Sequence, residues 1–299
     1  MRDAPWSAEA PLGLAHDGVD SEYGRLTRVF LSPPSHLTMV PCNSVTREAI
    51  RNGLKVSVDA ACAQHLALVT TFQNLGVATV TAASSPALPD QSFMRDTSVM
   101  TPWGLVGLRP GAFHRRGEVD RVMTAAAAAG VPVLDRIARG LIEGGDVCIL
   151  RPGLVIIGVS GSRTNEEGAE ALAAIFRRRG WRALLYHFDP HFLHLDTIFT
   201  MVDRGLALGC RDVLDDGFMA EMEYAGIEIL AVSYKEARRL ACNVVSLGDG
   251  RVLTSVDNVT VNAQLKARGY ELFPLDISQF TRCGGGIHCL TMPLARLPG

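Results

Sequence analysis

The stretch Cys283-Gly284-Gly285-Gly286-Ile287-His288-Cys289-Leu290-Thr291 sets three consecutive glycines just ahead of a cysteine. Glycines strip side chains from the backbone, so a thiol placed after them can meet a ligand at close range. Cys289 is therefore the candidate nucleophile. A thiol attacks well only when a neighbouring base or cation favours its thiolate, so a histidine and an acid must arrive from elsewhere. Two motifs offer them, Glu143-Gly144-Gly145-Asp146 and His194-Leu195-Asp196. Free cysteine is also among the most buried residue types, and each of the seven cysteines has an ordinary packing explanation.

His194-Leu195-Asp196 reads as the start of a strand, which would send His194 and Asp196 to one face. A histidine titrates near neutral pH, so it can protonate a departing amine and then deprotonate a water. The blander reading is a core or capping histidine. His187, His191 and His194 raise the alternative of zinc, but Pro190 opposes the helix that would bring His187 and His191 together, so no metal site is expected. Glu143 precedes two glycines that allow unusual backbone dihedrals, and its carboxylate can orient a histidine or bind a cation. Asp90, Asp96 and Asp196 would add negative charge suited to a planar guanidinium, while the loop arginines Arg115 and Arg163 could hold a carboxylate at the other end of a ligand. Each of these residues alone could be a turn former or a surface charge.

The elements that must position these groups follow from the apolar pattern. At 299 residues and 47% apolar content the chain supports a full core, and Lys+Arg 29 against Asp+Glu 31 leaves a formal charge of -2. No basic block invites nucleic acid, so a small-molecule partner is expected. The N-terminal stretch lacks the apolar run of a signal peptide, and no segment has the roughly 20 apolar residues of a membrane span. An odd number of irregularly spaced cysteines argues for a reducing compartment, the cytoplasm. The sequence is open to a homo-oligomer.

After a peripheral leader over 1–24, Arg28 to Leu31 reads as a strand; residues 35 to 58 fit no clear pattern and could form a mobile loop over a site. A helix from Ala60 to Leu75 leads to a strand at Val77 to Val80. Strands around Val99 and Leu105 to Leu108, a helix from Glu118 to Ala129 and a strand at Val131 to Leu134 follow. A hairpin turned by Pro152-Gly153, a helix capped at Asn165 or Thr164 and a strand at Ala183 to Tyr186 repeat the pattern. Further strands at Ile198 to Val202 and Leu206 to Leu208 precede helix 217–225, a strand at Ile227 to Val232 and helix 235–240. Strands at Val244 and Val252, a helix capped by Asn258, and strands at Glu271 to Pro274 and Ile287 to Met292 complete the chain. The reading is one α/β domain over 1–299, with a strand-helix-strand rhythm recurring about five times.

Several segments, in order, resemble the guanidino-group modifying (pentein) superfamily of dimethylarginine dimethylaminohydrolase, arginine deiminase and the amidinotransferases. They are Leu88-Pro89-Asp90 with Phe93-Met94-Arg95-Asp96-Thr97, Arg109-Pro110-Gly111-Ala112 with Arg115-Arg116-Gly117-Glu118-Val119-Asp120, Gly158-Val159-Ser160 with Arg163-Thr164-Asn165 and Gly168-Ala169-Glu170, and the last glycine-rich segment. The resemblance spans about Arg28 to Met292. It implies a five-bladed α/β propeller with a central site and no metal or organic cofactor. It also implies roles: Cys289 attacks the guanidinium carbon, His194 is acid and then base, and Glu143 binds guanidinium and orients His194. Asp96 would grip guanidinium nitrogens, Arg115 and Arg163 the ligand's carboxylate, and Asp90 would lie near its amino end, with Asp146 and Asp196 also among the substrate-binding acids. Hydrolysis through a thiouronium intermediate would give a citrulline-type product. Transfer of the amidino group to an amine, an arginine dihydrolase reaction giving ornithine, or an arginine-binding module without turnover are the alternatives. Dimethylarginine hydrolases typically have lysine where Asp196 stands, so Asp196 favours a plain guanidine while the Arg109 to Asp120 segment favours a methylated one.

Overall fold

The computed structural model describes residues 17–298. Strand β1 (Leu26–Leu31) leads through α1 (Ser44–Arg51) and α2 (Val58–Asn74) to β2 (Ala78–Thr81), which pairs with it in parallel. Strands β3 (Ser98–Thr101) and β4 (Gly104–Gly107) form an antiparallel hairpin, and α3 (Arg116–Ala128) crosses over to β5 (Val133–Arg136), parallel to β4. The same unit recurs in β6 (Val147–Arg151), β7 (Leu154–Val159), α4 (Glu166–Arg177) and β8 (Arg182–His187). It recurs again in β9 (Phe199–Asp203), β10 (Leu206–Gly209), α5 (Asp216–Tyr224) and β11 (Glu228–Ala231). After α6 (Tyr234–Ala237), the unit returns as β12 (Val245–Gly248), β13 (Arg251–Ser255), α7 (Val259–Ala267) and β14 (Glu271–Leu275). Helix α8 (Ser278–Thr281) precedes β15 (Met292–Arg296), which pairs antiparallel with β1, so the last strand completes the first sheet.

Among the described residues five three-stranded sheets result, each an antiparallel pair plus a parallel strand reached through a helical crossover. Burial explains their composition. The hairpin strands β3, β4 and β7 are buried throughout and read as short apolar runs, whereas the third strands β2 and β5 lie largely open to solvent. The first strands of neighbouring sheets approach one another, β15 beside β3, β6 beside β9 and β9 beside β12.

Local sequence accounts for the helix starts. Asn165 caps α4 by accepting from the Gly168 N–H, and its Oδ1 also accepts the Leu141 N–H, which ties the helix to the loop ahead of Glu143. Such a cap contributes about 1 kcal/mol.

Three expectations change. Residues 35 to 58 contain α1, whose Asn43 cap accepts from Thr46 N–H. Residues 17–24, expected at the end of a peripheral leader, are mostly buried, and Glu22 pairs with Arg95 at 3.2 Å; the earlier part of that leader lies outside the described residues. The last strand begins at Met292, not Ile287, and Cys289 stands in the turn before it.

Candidate active site

The candidate residues occupy equivalent places in the fold. Asp96 lies just before β3, Glu143 before β6, His194 and Asp196 before β9, Asn243 before β12 and Cys289 before β15. Each is delivered to the inner end of a buried strand by a tight turn. Three of these turns share one device: the hydroxyls of Thr97, Thr197 and Thr291 donate to the carbonyls of Met94, His194 and His288, three residues back.

Cys289, His194, Asp96, Asp90, Arg115 and Arg163 border one inner cavity of about 20 Å³, room for roughly one water. Cys42, Asn43, Arg163, Leu193 and Gly284 continue into an outer cavity of about 370 Å³. The α1 segment therefore forms part of the wall of the site.

His194 is the electrostatic centre. Its Nε2 lies 2.6 Å from Glu143 Oε2 and its Nδ1 3.6 Å from Asp96 Oδ1. Burial opposes charge on the ring, but Asp96, Glu143 and Asp146 outweigh it and raise its pKa to about 10. Nδ1 is buried and has no hydrogen-bond partner in the protein. Glu143 also accepts from the Ala112 N–H at 3.1 Å and from Arg163 at 3.3 Å. Burial alone would push its carboxyl upward, yet His194 and Arg163 hold it well below the usual range.

Gly144 and Gly145 serve this geometry through close approach. Neither has a positive φ, so the expectation of unusual dihedrals fails here. A Cβ on Gly145 would stand 2.7 Å from His194 Nδ1, and one on Gly144 would stand 2.0 Å from the Arg95 carbonyl. In the C-terminal run only Gly284 has positive φ, at 85°, while Gly285 and Gly286 admit Phe93 and Asn243 against the backbone.

The Cys289 sulfur is buried 3.7 Å from Asp196 Oδ2. Burial, with Asp196 and Asp96 nearby, pushes its pKa well above the ordinary value. These effects favour the neutral thiol. Asn243, absent from the sequence reading, fixes this turn: its Oδ1 accepts the N–H groups of His288 and Cys289 at 2.9 and 3.3 Å, and its amide donates to the Asp196 carbonyl. His288 is a second omission. Its Nδ1 lies 2.8 Å from Asp196 Oδ2 and its Nε2 3.6 Å from Glu22, which continues to Arg95. A buried chain of polar contacts, Asp196 to His288 to Glu22 to Arg95, thus runs behind the thiol. The missed signal was the recurrence of polar residues just before each inner strand, with Asp-Thr at both 96–97 and 196–197.

Other residues sit differently from expectation. Arg115, expected to hold a ligand carboxylate, is buried and committed to Asp96, Glu118 at 2.9 Å and the Phe93 carbonyl at 2.7 Å, so it positions Asp96. Asp146 is wholly buried and does not border the inner cavity; its Oδ1 accepts the Leu195 N–H, and burial lifts its pKa to about 7. Its place is beneath the His194 turn. Asp196 points to His288 and the thiol, while its Oδ1 has no partner. His194 and Asp196 belong to a 3-10 turn, and β9 starts later, at Phe199. His187 pairs with Glu166 at the surface and takes no part in the site.

The model of the family described as "N,N dimethylarginine dimethylhydrolase, eukaryotic" matches residues 34–296. The chain belongs to this family. It is 25% identical over 233 residues to the N(G),N(G)-dimethylarginine dimethylaminohydrolase of Pseudomonas aeruginosa, covering 78% of this chain and 87% of that one. It is 29% identical to the arginine deiminase of Mycobacterium marinum, over 71% of this chain and 61% of the relative. A Pseudomonas aeruginosa dimethylarginine dimethylaminohydrolase mutant complexed with citrulline superposes with a TM-score of 0.75 at 23% identity, covering 90% of this chain and 99% of that one. The N-terminal domain of the cyanobacterial arginine dihydrolase ArgZ gives 0.78 at 20% identity, covering 90% and 97%. The five small sheets match these structures, which have the pentein fold.

Proposed function

We propose that the protein is a cysteine-dependent hydrolase acting at the guanidino carbon of arginine or a methylated arginine. The observation that carries this reading is that Cys289, His194, Asp90 and Asp96 line one cavity. Family membership and relatives named as dimethylarginine dimethylaminohydrolase and arginine deiminase support it. We also infer that the chain is one catalytic domain whose five sheets are blades of a propeller around this cavity, closed by the β1–β15 pairing.

The acidic lining suits a flat cation, and the inner cavity must widen from its one-water volume to admit one. An entering guanidinium meets Asp96, which borders the cavity, whereas Glu143 lies behind His194 and acts through it; the ligand's charge lowers the pKa of the adjacent thiol, which releases its proton to solvent. Cys289 Sγ then bonds to the guanidinium carbon. The tetrahedral adduct collapses by breaking a carbon–nitrogen bond, with protonated His194 giving its proton to the departing amine. The thiouronium that remains accepts a water whose proton passes to the now neutral His194. Collapse of the second adduct expels the Cys289 thiolate and leaves a ureido product. Glu143 orients the imidazole throughout, and Arg115 holds Asp96. Arg163 borders both cavities and already pairs with Glu143 at 3.3 Å, so it reaches the carboxylate end of the substrate only by sharing its guanidinium between the two.

Incubation with arginine and with mono- and dimethylated arginines tests this reading, with ureido product, ammonia and methylamines measured separately. Ureido product in step with ammonia or an amine supports it, and no product from any guanidino compound contradicts it. Product that appears only with an amine acceptor indicates amidino transfer.

A further inference from the structure

The outer cavity, at about 370 Å³, lies within the range of about 300–1,000 Å³ of small-molecule pockets. Three arginines border it: Arg47 from α1, Arg163 from the loop after β7 and Arg238 from the end of α6. Among the described residues no aspartate or glutamate borders it, and the first turn of α1, which supplies Ser44, Val45 and Arg47, carries no acid. The arginines are incompletely matched. Arg47 enters no ion pair among the described residues and donates to the Pro41 carbonyl at 3.3 Å. Arg238 donates to Ser44 Oγ at 3.0 Å and reaches Glu48 only at 3.4 Å, and that carboxylate is 58% exposed. Val45, Phe192, Ala237 and Leu240 add apolar surface against which methylene groups can pack.

We propose that the outer cavity is a subsite for a second anionic group on the substrate, so that the preferred ligand is an arginine derivative with two negative groups at the end remote from the guanidine. The opposite polarity of the two cavities carries this. Asp90 and Asp96 border the inner cavity and draw a cation inward, whereas the outer cavity presents arginines and no acid. Arg163, which borders both, is the partner of the substrate's first carboxylate in the reaction proposed above. Arg47 and Arg238 then remain, two guanidinium groups on one chamber that repel each other until an anion joins them. A carboxylate there accepts charge-assisted hydrogen bonds from both. An ammonium group finds no acid in the outer cavity, and Asp90 in the inner one already pairs with His114 at 2.6 Å. Two kinds of molecule share the required chemistry: an arginine whose α-nitrogen carries a dicarboxylic acyl group, and an arginyl dipeptide ending in an acidic residue. The first has no ammonium and is the form the lining favours.

For turnover this rests on the proposed hydrolase reading, whereas for binding it does not. Each anionic ligand is compared with its isosteric amide: Nα-glutaryl-L-arginine with its terminal amide, and L-arginyl-L-glutamate with L-arginyl-L-glutamine. The full chain gives kcat/KM, and calorimetry on Cys289→Ser, which holds ligand without turnover, gives Kd. The expected result is a preference for acid over amide of at least roughly tenfold in the acyl pair, the scale of one charged hydrogen bond. The ratio should shrink in about 1 M salt and fall towards one in Arg47→Gln and in Arg238→Gln. A variant that merely disturbs the fold weakens both members of a pair alike, so the ratio isolates the charge. A preference confined to the dipeptide pair supports the anion subsite and overturns the acyl form. Ratios near one in both pairs, or a ratio untouched by both arginine variants, overturn the subsite. Unequal Kd values with no turnover of any guanidino compound by the native chain defeat the hydrolase reading and leave the subsite standing.

Discussion

His194 Nε2 lies 2.6 Å from Glu143 Oε2, and both side chains are sealed from solvent. This contact fixes which imidazole nitrogen is left without a hydrogen-bond partner and keeps the ring charged. Glu143→Gln retains the shape but removes the charge, so turnover should fall on the order of 10²–10⁴-fold, the range of a lost acid–base function. Glu143→Ala should also destabilise the fold by roughly 3–5 kcal/mol by leaving buried charge uncompensated. Steady-state kinetics and denaturant unfolding check the two effects separately. Full activity in Glu143→Gln would remove this residue from the mechanism.

The charge on His194 has a signature in pH. Its pKa rises from an ordinary 6.5 to about 10 on folding, so the stabilisation it contributes is complete below pH 6.5 and is lost as pH climbs towards 10. Thermal unfolding across that interval should show a slope that His194→Asn flattens. Ring titration followed by NMR should place the midpoint far above neutrality. A midpoint near 6.5 would contradict the electrostatic account.

Asp196 stands 3.7 Å from the Cys289 sulfur and also carries an unpartnered oxygen. A carboxylate there can pair with an unsubstituted guanidinium nitrogen, and methyl groups would block that bond. Asp196→Asn should weaken kcat/KM for arginine by roughly 10–100-fold, the worth of a charged hydrogen bond, and affect methylated arginines less. Parallel assays on the two substrates decide; the reverse order would refute the specificity argument.

Close packing of the glycine run gives a stability prediction. A Cβ on Gly285 would stand 2.1 Å from Phe93 Cε1, and one on Gly286 would stand 2.3 Å from Asn243 Oδ1. Gly285→Ala should therefore cost about 1–3 kcal/mol and disturb the Cys289 turn. Unfolding midpoints measure this, and an unchanged midpoint would show that Phe93 yields freely.

Much of this arrangement was legible in the sequence. The hairpin turned by Pro152-Gly153, the Asn165 cap and the apolar runs of β4 and β7 follow from local chemistry. Cys289, His194, Glu143 and Asp96 could be picked out because reactive residues stood beside glycines or at strand ends. Arg115 was misread because its sequence position resembles a ligand clamp, whereas its partners Asp96 and Glu118 come together only on folding. Asn243 and His288 were missed for the same reason: an asparagine and a histidine in apolar surroundings gain meaning only once five turns meet. Glu22 lay in what read as a polar leader, and its burial depends on Arg95 from another segment.

The central claim is that Cys289 bonds to the guanidino carbon. Rapid acid quenching of the protein with substrate, followed by intact and peptide mass analysis, tests it directly. A mass increase matching the amidine portion of the substrate, on the peptide containing Cys289 and absent in Cys289→Ser, is the predicted result. Sustained turnover by Cys289→Ser, or an adduct found on Cys283 instead, would contradict it.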